Sequence, residues 1–150
     1  MEGIIKISMK IKPIVIKNNI IPFGNFESIN LFGLVFTKAD NLSQRSLNHE
    51  CIHTMQFLEC FGVGFLLVLG LCLLFGWSMW WLLVSLPTFY YWYIVEWIIR
   101  GIVYSVLDDD WDCKKRNAYR EMSFEKEAYN NDENVSYVME RTPFAWLKEL

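Results

Sequence analysis

Between Cys60 and Val95 the chain contains no Asp, Glu, Lys or Arg, a run of 36 residues. About 20 apolar residues of helix cross the hydrocarbon core of a bilayer, so this stretch predicts membrane insertion rather than a wholly water-soluble fold. As a single helix it would be about 54 Å long against a core of about 30 Å, and it must therefore fold back. Trp77-Ser78-Met79-Trp80-Trp81 and Pro87 mark the return, because Trp favours the headgroup level and Pro opens helices. The spacing predicts crossings over residues 59–82 and 87–107. Of the Lys and Arg residues, six precede residue 60, none lies between 61 and 99, and seven follow Arg100. The positive-inside bias then puts both flanks, and both termini, in the cytoplasm, as a two-pass protein of the inner or plasma membrane.

The rest of the composition narrows the class. At 150 residues the chain has the length of one domain, and 53% hydrophobic with 17% aromatic residues excludes disorder. The net charge of -3 is the remainder of 14 bases and 17 acids and gives no reason to expect nucleic acid as a partner. Cys51, Cys60, Cys72 and Cys113 have no framework spacing and read as unpaired thiols of a reducing compartment. Met1–Lys17 interleaves lysines with isoleucines and lacks the apolar core of a secretory signal.

Around the apolar run the chain divides into short pieces. Residues 3–17 alternate apolar and polar up to Pro13 and beyond, predicting half-exposed strands, and Ser28–Thr37 reads as a second strand. Asn41 with Gln44 fits a helix cap and its reciprocal partner, so a helix is expected from about Leu42 to Leu58. After an acidic turn at Asp108–Asp112, a helix over 114–130 would carry Ala118, Met122, Glu125 and Tyr129 on one face. Pro143 opens a last short helix with Phe144, Trp146 and Leu147. The expected architecture is a single mainly α membrane domain. Residues 1–40 form N-terminal β-strands, 42–58 the motif helix, 59–107 a transmembrane hairpin, and 114–150 a C-terminal helical segment.

The chemistry concentrates in His49-Glu50-Cys51-Ile52-His53, an H-E-x-x-H on the expected helix. Residues four apart share a helix face, so both imidazoles can hold one Zn²⁺, while Glu50 lies round the helix where it can act on water. These are the only two histidines in the chain. A third protein ligand must then be carboxylate or thiolate. Glu125 is the choice over Glu121, one turn earlier on the same face, and Glu127, which faces elsewhere; the small Ala128 would let the two helices approach. Gln56 follows His53 on the same face and either touches the site or is plain helix surface. Glu96 and Arg100, four apart in the second crossing, read as an intrahelical ion pair with Arg100 reaching for the surface. A sharper alternative has Arg100 anchoring a substrate carboxylate or a lipid headgroup. Tyr90, Tyr91, Trp92, Tyr93 and Trp97 read as packing and interfacial belt.

H-E-x-x-H followed much later by E-x-x-A on a second helix resembles the gluzincin-type zinc metallopeptidases. The order motif, two crossings, E-x-x-A is similar to the HtpX-like and type I CaaX prenyl membrane proteases; the minigluzincins and ImmA/IrrE-like peptidases show the two motifs without the hairpin. The resemblance spans about residues 28–130. It implies a zincin-like core in which His49, His53 and Glu125 are zinc ligands and Glu50 is the general base of a zinc-activated water. It also implies that Ser28–Thr37 is an edge strand that aligns a peptide or membrane-protein substrate. Membrane members commonly continue E-x-x-A with Asp, whereas this chain has Tyr129, so another group would have to orient a ligand imidazole. Tyr129, Tyr137 and Arg141 are candidates for oxyanion stabilisation. The competing expectation is a non-catalytic membrane hairpin, an adaptor or assembly factor with a structural or vestigial zinc site.

Overall fold

The computed structural model describes residues 13–24, 26–107 and 110–150. The part of the expected N-terminal strands over residues 3–12 and the start of the acidic turn at 108–109 lie outside them. The chain is mainly helical with one small sheet. Strand β1 (Ile14–Lys17) starts after Pro13 and runs parallel to β3 (Leu34–Thr37), which pairs antiparallel with β2 (Ser28–Leu31), giving the order β1-β3-β2. Ser28–Thr37 is thus a hairpin, not the single strand expected. Phe32 and Gly33 turn the chain with φ of 55° and 78°, and Leu31 faces Leu34 across a two-residue turn. Alternation of apolar residues continues through the turn and conceals it. The left-handed Phe32 is held by its contacts: its N–H donates to the Tyr90 hydroxyl at 2.7 Å and its ring meets Phe57 and Tyr90.

Helix α1 runs unbroken over Gln44–Phe75. Its cap is Ser43, whose Oγ accepts from the Ser46 N–H at 3.0 Å, two residues later than the Asn41 cap expected. Gln44 instead donates along the helix to Asn48 at 2.9 Å. Gly76, at φ 81°, ends the helix, so the expected crossing over 59–82 stops short as a helix at residue 75. A 3₁₀ turn at Met79–Trp81 and the one-turn α2 (Leu82–Ser85) bring the chain back to α3 (Thr88–Leu107), whose bounds match the second apolar segment.

The return is early. Ser85 and Thr88 already pack on Gly64, where a Cβ would lie 2.2 Å from the Thr88 hydroxyl, and Phe89 and Tyr90 meet Phe57. Consequently α3 lies beside the motif-bearing half of α1, not beside residues 65–75. Among the described residues α1 alone is long and apolar enough to cross a membrane, and Met79–Ser85 with α3 meets the same measure only as a pair bent by 48°.

The helix expected over 114–130 is two helices, α4 (Trp111–Arg120) and α5 (Ser123–Asn131). Met122 breaks it by taking extended backbone while fully buried, so the apolar period is kept and the axis is not. Asp110 caps α4 by accepting from the Cys113 N–H. One turn of helix, α6 (Tyr137–Glu140), and a 3₁₀ turn at Ala145–Glu149 close the chain. The core where α1, α3, α5 and the tail meet is Phe57, Cys60, Phe89, Phe124 and Trp146.

Candidate metal centre

The helical repeat places His49 and His53 one turn apart on the buried face of α1, with ring centroids 4.6 Å apart and their Nε2 atoms 3.0 Å apart. α5 packs across that face and delivers Glu125, third in its first turn. Its Oε1 lies 3.4 Å from His53 Nε2 and its Oε2 3.5 Å from His49 Nε2. All three ligand atoms fall within 4.8 Å of one another. Four-coordinate zinc with bonds of about 2.0–2.1 Å separates its ligand atoms by about 3.3 Å, so the observed spacings match what such an ion would need. Glu125 Oε2 is also buried with no hydrogen-bond partner. A buried carboxylate oxygen left bare is costly, and a cation between it and the two imidazoles would satisfy it. The residues fit a zinc ion.

Without an ion the three groups balance one another. Burial works against charge on His53, but Glu125 beside it prevails and lifts its pKa to about 9. Burial likewise disfavours the Glu125 carboxylate, and the neighbouring imidazoles overcome it, holding its pKa well below the usual carboxylate range. Cys51, inside the motif, is pushed up to about 11 by burial and the Glu50 carboxylate, which makes it an inert thiol.

Each ligand has a support. Gln56 accepts from His53 Nδ1 at 2.8 Å while its amide donates to the Phe124 carbonyl at 3.0 Å and to Glu127 at 3.1 Å. It is therefore part of the site, aiming the His53 Nε2 lone pair and tying α1 to α5. Asp132 stands 3.9 Å from His49 Nδ1 and is itself held by Arg45 at 2.9 Å. The Tyr129 ring packs edge-on against His49 at 4.7 Å. The carboxylate nearest a ligand imidazole's outer nitrogen thus comes three residues after Tyr129. Asp132 could have been found as the next residue on the Glu125–Tyr129 face; it reads otherwise as part of a helix stop. Tyr93 donates to Glu125 Oε1 at 3.0 Å, and Tyr119 borders both cavities that meet at the site. Neither tyrosine is singled out by spacing.

Glu50 lies beside the ligands. Its Oε1 accepts from the Ser28 hydroxyl at 2.6 Å, and its Oε2 is buried without a partner. Asn30 of β2 donates to the Glu50 carbonyl and to Thr54, both at 2.9 Å, so the outer strand of the sheet is fastened to the motif. Two cavities meet at His49 and Glu50. One, of about 470 Å³, runs between β2 and the aromatic face of α3 (Phe89, Tyr90, Tyr93, Trp97). The other, of about 460 Å³, is polar and bordered by Arg45, Arg120, Tyr129 and Asp132. The aromatics of α3 that read as belt therefore divide, with Tyr90, Tyr93 and Trp97 forming a wall of the cleft.

The other candidates lie elsewhere. Glu121 pairs with Lys126 at 3.3 Å, and Glu127 is buried against Arg141, Tyr137 and Gln56. Arg141 is clamped between Glu59 and Glu127, and neither it nor Tyr137 borders either cavity. Of the three oxyanion candidates only Tyr129 borders one. Glu96 and Arg100 do pair, at 3.6 Å, and Glu96 also binds Ser123. Models of known protein families, characterised proteins and solved structures contain no match to this chain.

Proposed function

We propose that this chain is a small membrane-bound zinc metallopeptidase that hydrolyses peptide bonds at the cytoplasmic face of a bilayer. The observation that carries the reading is the convergence of His49, His53 and Glu125 within 4.8 Å, beside a glutamate with one free buried oxygen, at the end of a cleft walled by an edge strand. His49, His53 and Glu125 would hold the ion, which when bound supplies a Lewis acid toward water and a carbonyl oxygen. Glu50, braced by Ser28, takes a proton from water through Oε2 and returns it to the leaving amine. Among the described residues β2 has β3 on one side only, and its other edge faces the cleft, where an extended peptide could be laid along it.

The membrane assignment rests on exposure. Leu66, Leu67, Leu73 and Leu74 of α1 and Ile99, Ile102 and Val106 of α3 are all more than half exposed. Exposed apolar surface on this scale marks contact with a membrane or with another protein, and the length of α1 favours the membrane. Because α3 walls the cleft with one face and exposes the other, substrates are chains at or in the bilayer.

Zinc analysis of the detergent-purified full chain tests this. One equivalent is expected, lost in His49→Ala and Glu125→Ala and retained in Glu50→Gln, with cleavage of an unfolded membrane-protein substrate lost in Glu50→Gln. Undiminished cleavage by Glu50→Gln overturns the peptidase. Zinc without turnover by the wild type would favour a structural ion in a membrane adaptor.

A further inference from the structure

Glu96 is the single carboxylate of α3, buried and paired with Arg100 one turn on at 3.6 Å. A charge there is expensive unless it is used. Its bonds show how it is used: Oε1 accepts from the Ser123 N–H at 2.7 Å and Oε2 from the Ser123 hydroxyl at 2.6 Å. Ser123 is the first residue of α5, and the cap residue Met122 offers no side-chain bond of its own. Glu96 therefore takes the place of a local cap, its carboxyl group satisfying a first-turn donor from another helix.

Two residues into that turn is Glu125. α5 has nine residues, too few to hold itself as an isolated helix, so its start and rotation are set by what grips it. Tyr93, one turn before Glu96 on α3, grips Glu125 Oε1 directly. We infer that Glu96 is a positioning residue for the third ligand: through Ser123 it fixes the first turn of α5, and with Tyr93 it makes α3 the template on which the Glu125 carboxylate is presented to the two imidazoles. It rests on the metal reading above for the zinc and Co²⁺ readouts and stands apart from it for amide exchange.

The test uses the full chain in detergent. Zinc affinity by chelator competition should fall about 10–100-fold in Glu96→Ala, the range seen when groups behind a ligand are removed. Ser123→Ala should follow in the same direction, and Glu96→Gln, which keeps an acceptor oxygen, should recover part of the loss. The visible Co²⁺ spectrum of the substituted protein should lose tetrahedral intensity in the same order. Val68→Ala, a core truncation far along α1, should lower thermal stability and leave zinc affinity and the spectrum alone. Amide exchange at Ser123 should be slow in the wild type and fast in Glu96→Ala whether or not metal is present. Failure of the wild type to bind zinc removes the metal reading, and Ser123 exchange then decides the inference by itself. Wild-type exchange at Ser123 in Glu96→Gln and Glu96→Ala, or undiminished zinc affinity in Glu96→Ala when the wild type binds zinc, overturns the inference. If Glu96→Ala fails to fold, Glu96→Gln and Ser123→Ala carry the comparison.

Discussion

The two halves of α1 are built inside out with respect to each other. In the first half the buried residues include Asn48, Glu50, His53, Thr54 and Gln56, and Gln56 is 0% exposed. In the second half Leu66, Leu67, Leu73, Leu74 and Phe75 face outward, with Leu73 88% exposed. A soluble helix buries its leucines and shows its amides. Here the polar half is covered by β2, α5 and the tail and its groups are partnered, Glu50 Oε2 excepted, while the apolar half has little protein over it beyond α2 and the tip of the return. The lesson is that a buried polar group is retained where it holds something in place, and an exposed leucine where the surroundings are themselves apolar. Within one helix, the switch between these regimes falls near Cys60.

The comparison is broken most severely at the bottom of the polar half. Arg141 is fully buried between Glu59 of α1 and Glu127 of α5, with the Tyr137 hydroxyl and Trp146 Nε1 completing the cluster. Arg141→Met removes the one cation and leaves two buried carboxylates facing each other, which costs about 3–5 kcal/mol. Denaturant unfolding in detergent should register it, and Glu59→Gln in the same chain should return part of the loss. A change below about 1 kcal/mol would mean that the network is not what holds the motif half shut.

How much of this was legible in the sequence follows from the range of the interactions. His49, Glu50 and His53 could be read because four residues on a helix fix one geometry, and Glu125 because the site needed an acid on a face that a helical repeat defines. The apolar segment near 88–107 was plain from composition. Asp132 was obscured by the Asn-Asn-Asp stop. Glu96, Tyr93 and Ser28 act through contacts 22 to 32 residues away in sequence, which no local period encodes. The breaks at Phe32–Gly33 and at Met122 escaped for a shared reason. At both, the hydrophobic pattern runs on while the backbone turns, because the residue at the break is itself packed on protein. The early return of α3 against Gly64 escaped because the apolar residues of a hairpin do not state their register.

Metal-free and metal-loaded protein should respond to pH in opposite directions. His53, raised from 6.5 to about 9, stabilises the metal-free fold fully below pH 6.5 and loses that contribution as the pH rises through 9. Glu125, held below its ordinary value of 4.5, contributes above that value and loses it as the pH falls further. The pair is one interaction counted once, and it is at full strength between pH 4.5 and 6.5. Chelator-treated protein should therefore lose about 3 kcal/mol between pH 6 and 9. Zinc needs the neutral imidazole, so its stabilisation should grow over the same interval. Melting curves with and without chelator check this; parallel curves would separate His53 and Glu125 from any ion.

The smallest effect bears on the other half of the helix. Leu66 is 67% exposed, so Leu66→Gln exchanges one group facing the surroundings for another and leaves the protein's own packing intact. In detergent the unfolding midpoint should stay within about 0.5 kcal/mol of the wild type, as for surface positions generally. Placing an amide where the buried Gln56 stands is tolerated because three partners wait for it; at Leu66 none is needed, since the side chain can turn into the headgroups or the micelle. A loss above about 1 kcal/mol would show that protein, such as a second copy of this chain, covers the apolar half, and the inversion between the two halves would then be only that of an incomplete assembly.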